Sequence, residues 1–84
     1  MSKAVVFTQH ALDVIRERAL DALWVAETVT LPQWEEVDPH DATVSRRFRA
    51  IPERGGRYLR VACVETATEI RILSAFLDRR ARPK

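Results

Sequence analysis

Residues 43–77 read TVSRRFRAIPERGGRYLRVACVETATEIRILSAFL, and this stretch decides the fold. It holds three β-prone runs, 43–51, 57–66 and 69–77. Glu53-Arg54-Gly55-Gly56 separates the first two, and Ala67-Thr68 separates the last two. A Gly-Gly pair supplies the positive φ angles that a tight hairpin turn needs. Each run alternates apolar and polar residues, the period of a strand with one covered face. The stretch therefore predicts three antiparallel strands in succession.

Upstream, Ala4-Val5-Val6-Phe7 reads as a short strand, β-branched and aromatic. Thr8 is placed to cap a helix over 9–19, with Leu12, Ile15 and Ala19 as its apolar stripe. Asp21 is placed to cap a second helix over 22–30, with Ala22, Val25, Ala26 and Val29 on its apolar side. Pro32 stops that helix, because proline disfavours the helical conformation in the residue before it. Residues 31–42 carry Pro32, Pro39 and four acids and read as a loop that Trp34 pins down. Residues 79–84 form a basic tail. The order is β-α-α-β-β-β. It predicts one α+β domain over 1–84, two helices packed on an antiparallel sheet.

Composition narrows the function classes. The chain has 84 residues, 46% hydrophobic and 31% charged, which suits a folded domain and not a disordered tail. One cysteine, Cys63, excludes a disulfide framework and a cysteine-rich zinc site within the chain. No apolar run approaches the ~18 residues of a membrane span, and the N-terminal apolar run is too short for a signal peptide. The expectation is a cytoplasmic protein with no cofactor. Charge is divided unevenly. Residues 1–42 hold three basic and eight acidic side chains, and residues 43–84 hold eleven basic and four acidic ones. Only Lys3 and Lys84 are lysines. Arginine grips phosphate with a planar fork and stacks on bases, so an arginine-rich half points toward nucleic acid.

Alternation assigns the faces of the three strands. Leu59, Val61 and Cys63 share one face, as do Ile70, Ile72, Ser74 and Phe76, and Val44, Phe48 and Ala50 with Arg46 as the exception. These are expected against the helices. Leu12, Ile15, Val25, Phe48, Val61, Ile70, Ile72 and Phe76 are expected to be buried. The opposite face then collects Arg47, Arg49, Tyr58, Arg60 and Arg71. Four arginines on neighbouring strands repel one another unless an anion joins them, and an RNA backbone is such an anion. Tyr58 offers a ring on which a base can stack. The competing expectation is that Glu65 or Glu69 neutralises part of this charge within the protein.

Phe7-Thr8-Gln9-His10-Ala11, followed by Arg16-Glu17-Arg18-Ala19-Leu20 and Pro32, resembles the start of small bacterial toxin-like domains. It is similar to a His-Ala family of unknown function related to the RelE/ParE/BrnT toxin superfamily. Leu59-Arg60-Val61-Ala62-Cys63-Val64 and Ile70-Arg71-Ile72-Leu73-Ser74-Ala75 look like the end of BrnT-type toxins. The resemblance implies a β-α-α-β-β-β fold, messenger-RNA cleavage and neutralisation by a cognate antitoxin-like protein. The chain departs from that pattern in places. Ala19 and Leu20 stand where Gly and Ile are usual, and Phe76 stands where a basic residue is usual.

RNA cleavage without metal needs a base for the 2′-OH, an acid for the leaving oxygen and cations for the charge on phosphorus. His10 is the candidate general base, because imidazole titrates near neutrality. The alternative is that it packs or hydrogen-bonds at the helix start. Asp38, His40 and Asp41 read as solvated loop residues and not a metal site. Asp13 and Glu17 read as helix ion-pair partners. Two classes stay open: a metal-independent endoribonuclease toxin acting on RNA or at the ribosome, and a non-catalytic interaction module of the same fold. A third variant poisons a topoisomerase, as ParE-type proteins do, through contacts and without bond cleavage.

Overall fold

The computed structural model describes residues 3–83. In chain order it contains strand β1 (Ala4–Phe7), helices α1 (Gln9–Glu17) and α2 (Ala22–Thr30), and strand β2 (Trp34–Val37). Then come β3 (Ser45–Ile51), a 3-10 turn (Pro52–Arg54), β4 (Arg57–Glu65) and β5 (Glu69–Asp78). The fold is α+β, with two helices on a five-stranded sheet of order β1-β5-β4-β3-β2.

The sheet is mixed and not antiparallel throughout. β1 runs parallel to β5, with Ala4 opposite Glu69 and Phe7 opposite Ile72. The other neighbours are antiparallel. The extra strand, β2, lies in the segment expected to be a loop. Two adjacent glutamates give it weak strand propensity of its own. Cross-strand partners supply the rest: Trp34 faces Phe48, Glu35 faces Arg47 and Glu36 faces Arg46.

Both helix caps form where the sequence places them. The Thr8 hydroxyl accepts from Ala11 N–H at 3.1 Å and donates to the Ile72 carbonyl at 2.9 Å, joining α1 to β5. The Asp21 carboxylate accepts from Leu23 N–H at 2.8 Å. α1 ends earlier than expected, at Glu17, and Ala19 turns the chain with φ 53°. Gly55 and Gly56, at φ 68° and 78°, make the turn into β4.

The core joins Ala11, Ile15, Val25 and Val29 of the helices to Ile51, Leu59, Val61, Cys63, Ile70, Ile72 and Ala75 of the sheet. Burying a branched aliphatic side chain contributes about 1.5–3 kcal/mol, so Val61 and Ile72, both fully enclosed, anchor the centre. Leu12 is a correction, since it is 45% exposed. The covered stripe of α1 is Ala11, Val14 and Ile15, and the small Ala11 faces the sheet in its place.

Phe76 is also misplaced by simple alternation. Cys63 pairs with Ile72 but Ala62 pairs with Ser74, so Leu73 is an extra residue in β5. Such a bulge reverses the alternation beyond it. Ile70, Ile72, Ala75 and Leu77 therefore belong to the helix side, while Ser74 and Phe76 turn to the open face. In the tail, Ala81 N–H closes a turn on the Asp78 carbonyl at 3.3 Å, and Lys84 lies outside the described residues.

Candidate nucleic-acid interface

The arginine face expected from alternation divides into two. In an antiparallel pair, residues directly opposite each other share a face. Arg47 faces Val61 and Arg49 faces Leu59, so both arginines lie on the helix side. Phe48 and Ala50 lie on the open side, opposite Arg60 and Tyr58. The phase of β3 is thus the reverse of the one its apolar residues suggest.

The physical reason is the end of α2. That helix has no basic residue in its last turn, and its final carbonyls need donors from elsewhere. Arg47 Nη1 donates to the Val29 carbonyl at 2.8 Å. Arg49 Nη1 donates to the Leu31 carbonyl at 2.8 Å, and its Nε pairs with Glu27 at 3.2 Å. Arg47 Nη2 also donates to Glu65 Oε1, whose other oxygen accepts from Lys3 Nζ at 2.6 Å. Arg47 Nε lies 3.6 Å from Glu35, and the side chain is only 9% exposed. Burial opposes the Arg47 charge, but the Glu65 hydrogen bond and the nearby anions outweigh it and hold the guanidinium above its ordinary range. The Lys3 and Arg47 hydrogen bonds hold Glu65 below the usual carboxylate range. Arg47 is a structural clamp among α2, β2 and β4. A cleft of about 440 Å³ opens beside it, between Lys3, Glu35, Glu65 and Ile70.

The open face keeps Tyr58, Arg60 and Arg71 from the expected set and gains Arg46, Trp34, Phe48 and Phe76. Trp34 stacks on Phe48 with centroids 4.6 Å apart, and Tyr58 meets Trp34 edge-on at 5.1 Å. Arg60 lies over the Phe76 ring at 4.3 Å, with Arg18 at 5.8 Å from the same ring. A row of aromatic and guanidinium planes therefore crosses from β2 to β5. It ends in a basin of about 400 Å³ lined by Arg60, Phe76, Asp78, Arg79 and Arg80.

Acids temper the charge of this face. Arg46 pairs with Asp38 at 3.1 Å, Arg60 with Asp78 at 3.3 Å and Arg71 with Glu69 at 2.8 Å. Burial and the charge of Arg46 pull the Arg60 guanidinium below its ordinary value, and Asp78 opposes them. Arg79 and Arg80 are exposed on the rim and make no ion pair among the described residues.

A family profile matches residues 7–76, from the end of β1 almost to the end of β5. The chain belongs to DUF4258, a domain family of unknown function. No curated protein and no solved structure matches this chain. The DUF4258 segment includes His10, the α2 clamp and the whole aromatic row. Arg79 and Arg80 fall beyond it.

Within the DUF4258 segment, His10 sits exposed in the first turn of α1. Its side chain has no hydrogen bond or ion pair among the described residues, so it does not anchor the helix start. No hydrogen bond or ring contact joins it to the open-face arginines among the described residues. Asp38 and Asp41 are engaged in turns, accepting from His40 N–H at 2.8 Å and Thr43 N–H at 2.9 Å. The His40 amide, then Arg46, lowers the Asp38 pKa, and the Thr43 hydroxyl lowers that of Asp41. No cluster of His, Cys, Asp and Glu suited to a metal occurs among the described residues. Cys63 is buried, and burial pushes its thiol up despite Arg47. No helix among the described residues is long and apolar enough to cross a membrane.

Proposed function

We propose that this chain is a toxin-like RNA-binding domain, related to the RelE/BrnT fold, that takes single-stranded RNA on the open face of its sheet. One observation carries the reading. The basin at the end of β5 brings the Phe76 ring together with Arg60, Arg79 and Arg80. An aromatic ring bordered by guanidinium groups matches the two parts of a nucleotide, a stackable base and a phosphate. Trp34, seated on buried Phe48, and Tyr58 extend stacking surface across the sheet. In this reading a cognate antitoxin-like protein restrains the domain, and cleavage, where it occurs, uses exposed His10 as the base.

The second reading is a non-catalytic interaction module. It is favoured by the acids that pair with Arg46, Arg60 and Arg71, and by the absence of any group that orients His10 among the described residues.

The test is anisotropy of a labelled single-stranded RNA over a salt series. The double substitution Arg79→Ala/Arg80→Ala is expected to reduce the log–log salt slope by about 1.4, at ~0.7 per phosphate contact. Phe76→Leu is expected to weaken binding by roughly 5- to 150-fold, the range of ~1–3 kcal/mol for one stacked base. Binding with an unchanged slope and affinity in both variants removes the basin from the RNA surface.

A further inference from the structure

β2 is the outermost strand of the sheet on its side, paired only with β3. Asp38 N–H donates inward to the Val44 carbonyl at 2.9 Å. Backbone groups of a strand alternate in direction, so Glu36 also turns inward, and the N–H and C=O of Glu35 and Val37 turn outward. Both side chains stand open to solvent, Val37 67% exposed and Glu35 58% exposed. An edge of this kind is a template for one more strand.

The surroundings specify what that strand must carry. Glu35, Glu36 and Val37 of β2 line a pocket of about 210 Å³ together with Ala42, Val44 and Glu65. Its carboxylates and aliphatic groups together fit a Lys or Arg side chain, whose stem is apolar and whose head is cationic. Leu31, 62% exposed, adds apolar surface where the chain leaves α2 for β2. Inside the sheet the same strand already prefers a basic neighbour, since Glu35 and Glu36 face Arg47 and Arg46 of β3. A second copy of β2 would set glutamate against glutamate, and RNA would meet the acidic side of the molecule.

We infer that the outer edge of β2 is a docking site for an extended segment of a partner protein in which basic and apolar residues alternate. The segment adds a sixth strand beside β2, exchanging backbone hydrogen bonds with Glu35 and Val37 and placing a basic side chain in the glutamate-lined pocket. The basin that carries the RNA reading lies at β5, two strands away from this edge, and β2 contributes only Trp34 to the aromatic row.

The test uses the isotope-labelled full chain and a short capped peptide alternating Lys and Val, with a Glu-Val peptide as control. Amide hydrogen exchange is followed by NMR. The Lys-Val peptide is expected to slow exchange at Glu35 and Val37 by about tenfold or more, and the Glu-Val peptide is expected to leave it unchanged. Glu35→Gln is expected to weaken peptide binding several-fold. Val37→Pro, which removes an outward N–H at an exposed edge position, is expected to abolish the slowing at this edge. Several results would overturn the inference: no slowing at these amides, equal slowing by the Glu-Val peptide, or slowing confined to another edge. So would slowing produced by raising the protein concentration alone, which assigns the edge to a second copy, or by single-stranded RNA.

Discussion

Arg47→Met separates the two roles that Arg47 can hold. On an exposed phosphate-binding face, its loss would leave stability almost unchanged and weaken RNA binding. In the clamp described above, its loss is expensive. The side chain makes two charge-assisted hydrogen bonds, to the Val29 carbonyl and to Glu65, while 9% exposed. Hydrogen bonds to charged groups contribute about 1.5–3 kcal/mol each. Methionine recovers part of the packing of the arginine stem. Glu65 keeps Lys3 as a partner and is about a third exposed, so solvent screens the charge left behind. A net loss of about 2–4 kcal/mol follows. A domain this size has about 4–13 kcal/mol in total, so the loss is a large fraction of it.

The assay is urea unfolding by circular dichroism at several pH values. Glu65 is held below its ordinary value of 4.5 by Lys3 and then by Arg47. A depressed carboxylate contributes stability that is complete above the unfolded value and is lost as pH falls through the folded one. The parent protein is therefore expected to lose stability below about pH 4.5, and Arg47→Met to lose less of it over the same window, because one of two cations is gone. A cost under about 1 kcal/mol, with the same acid slope as the parent, would refute the clamp.

Three further outcomes are expected. Ala19→Gly should raise the urea midpoint by an amount equivalent to about 0.5–1 kcal/mol, since Ala19 sits at φ 53° in the left-handed region at the end of α1. A lower midpoint would show that Ala19 carries no strain worth relieving. His10→Ala should change stability by no more than ~0.5 kcal/mol, as His10 is exposed and unpartnered among the described residues. Under the general-base assignment the same change lowers RNA cleavage by about 10²–10⁴-fold, and unchanged cleavage removes His10 from the chemistry. Trp34→Ala should cost about 1–3 kcal/mol by uncovering Phe48, which is 3% exposed beneath it, and a cost near zero would mean that β2 does not hold the open face together.

The legible parts of the fold rest on local signals. The caps at Thr8 and Asp21, the turn at Gly55-Gly56 and the alternation of β4 are each written within a few residues, and each forms as read. The misread parts depend on partners far along the chain. β2 is a strand because β3 brings Phe48, Arg47 and Arg46 beside it. The bulge at Leu73 has no residue signature, yet it moves Phe76 from the expected core to the open face. The phase of β3 was legible at Ile51, an apolar residue on the same face as Arg47 and Arg49, but Phe48 gives the opposite signal. Trp34 decides between them by covering Phe48 on the open side.

The expected arginine face divides for a related reason: charge along a sequence is not charge on a surface. The acidic first half and basic second half of the chain meet in the folded protein. Glu27 pairs with Arg49, Glu35 with Arg47 and Asp38 with Arg46, each joining the two halves. Such pairs consume the asymmetry that suggested a polyanion in the first place. Arg47 and Arg49 also serve carbonyls of α2, a task that no composition count exposes. What survives as an argument for nucleic acid is the smaller surplus at the end of β5. There Arg60 lies on the Phe76 ring, and Arg79 and Arg80 have no acid of their own among the described residues. If RNA binds this protein, its salt slope should report those two arginines and be insensitive to Arg49→Ala, whose guanidinium is already spent on Glu27 and the Leu31 carbonyl.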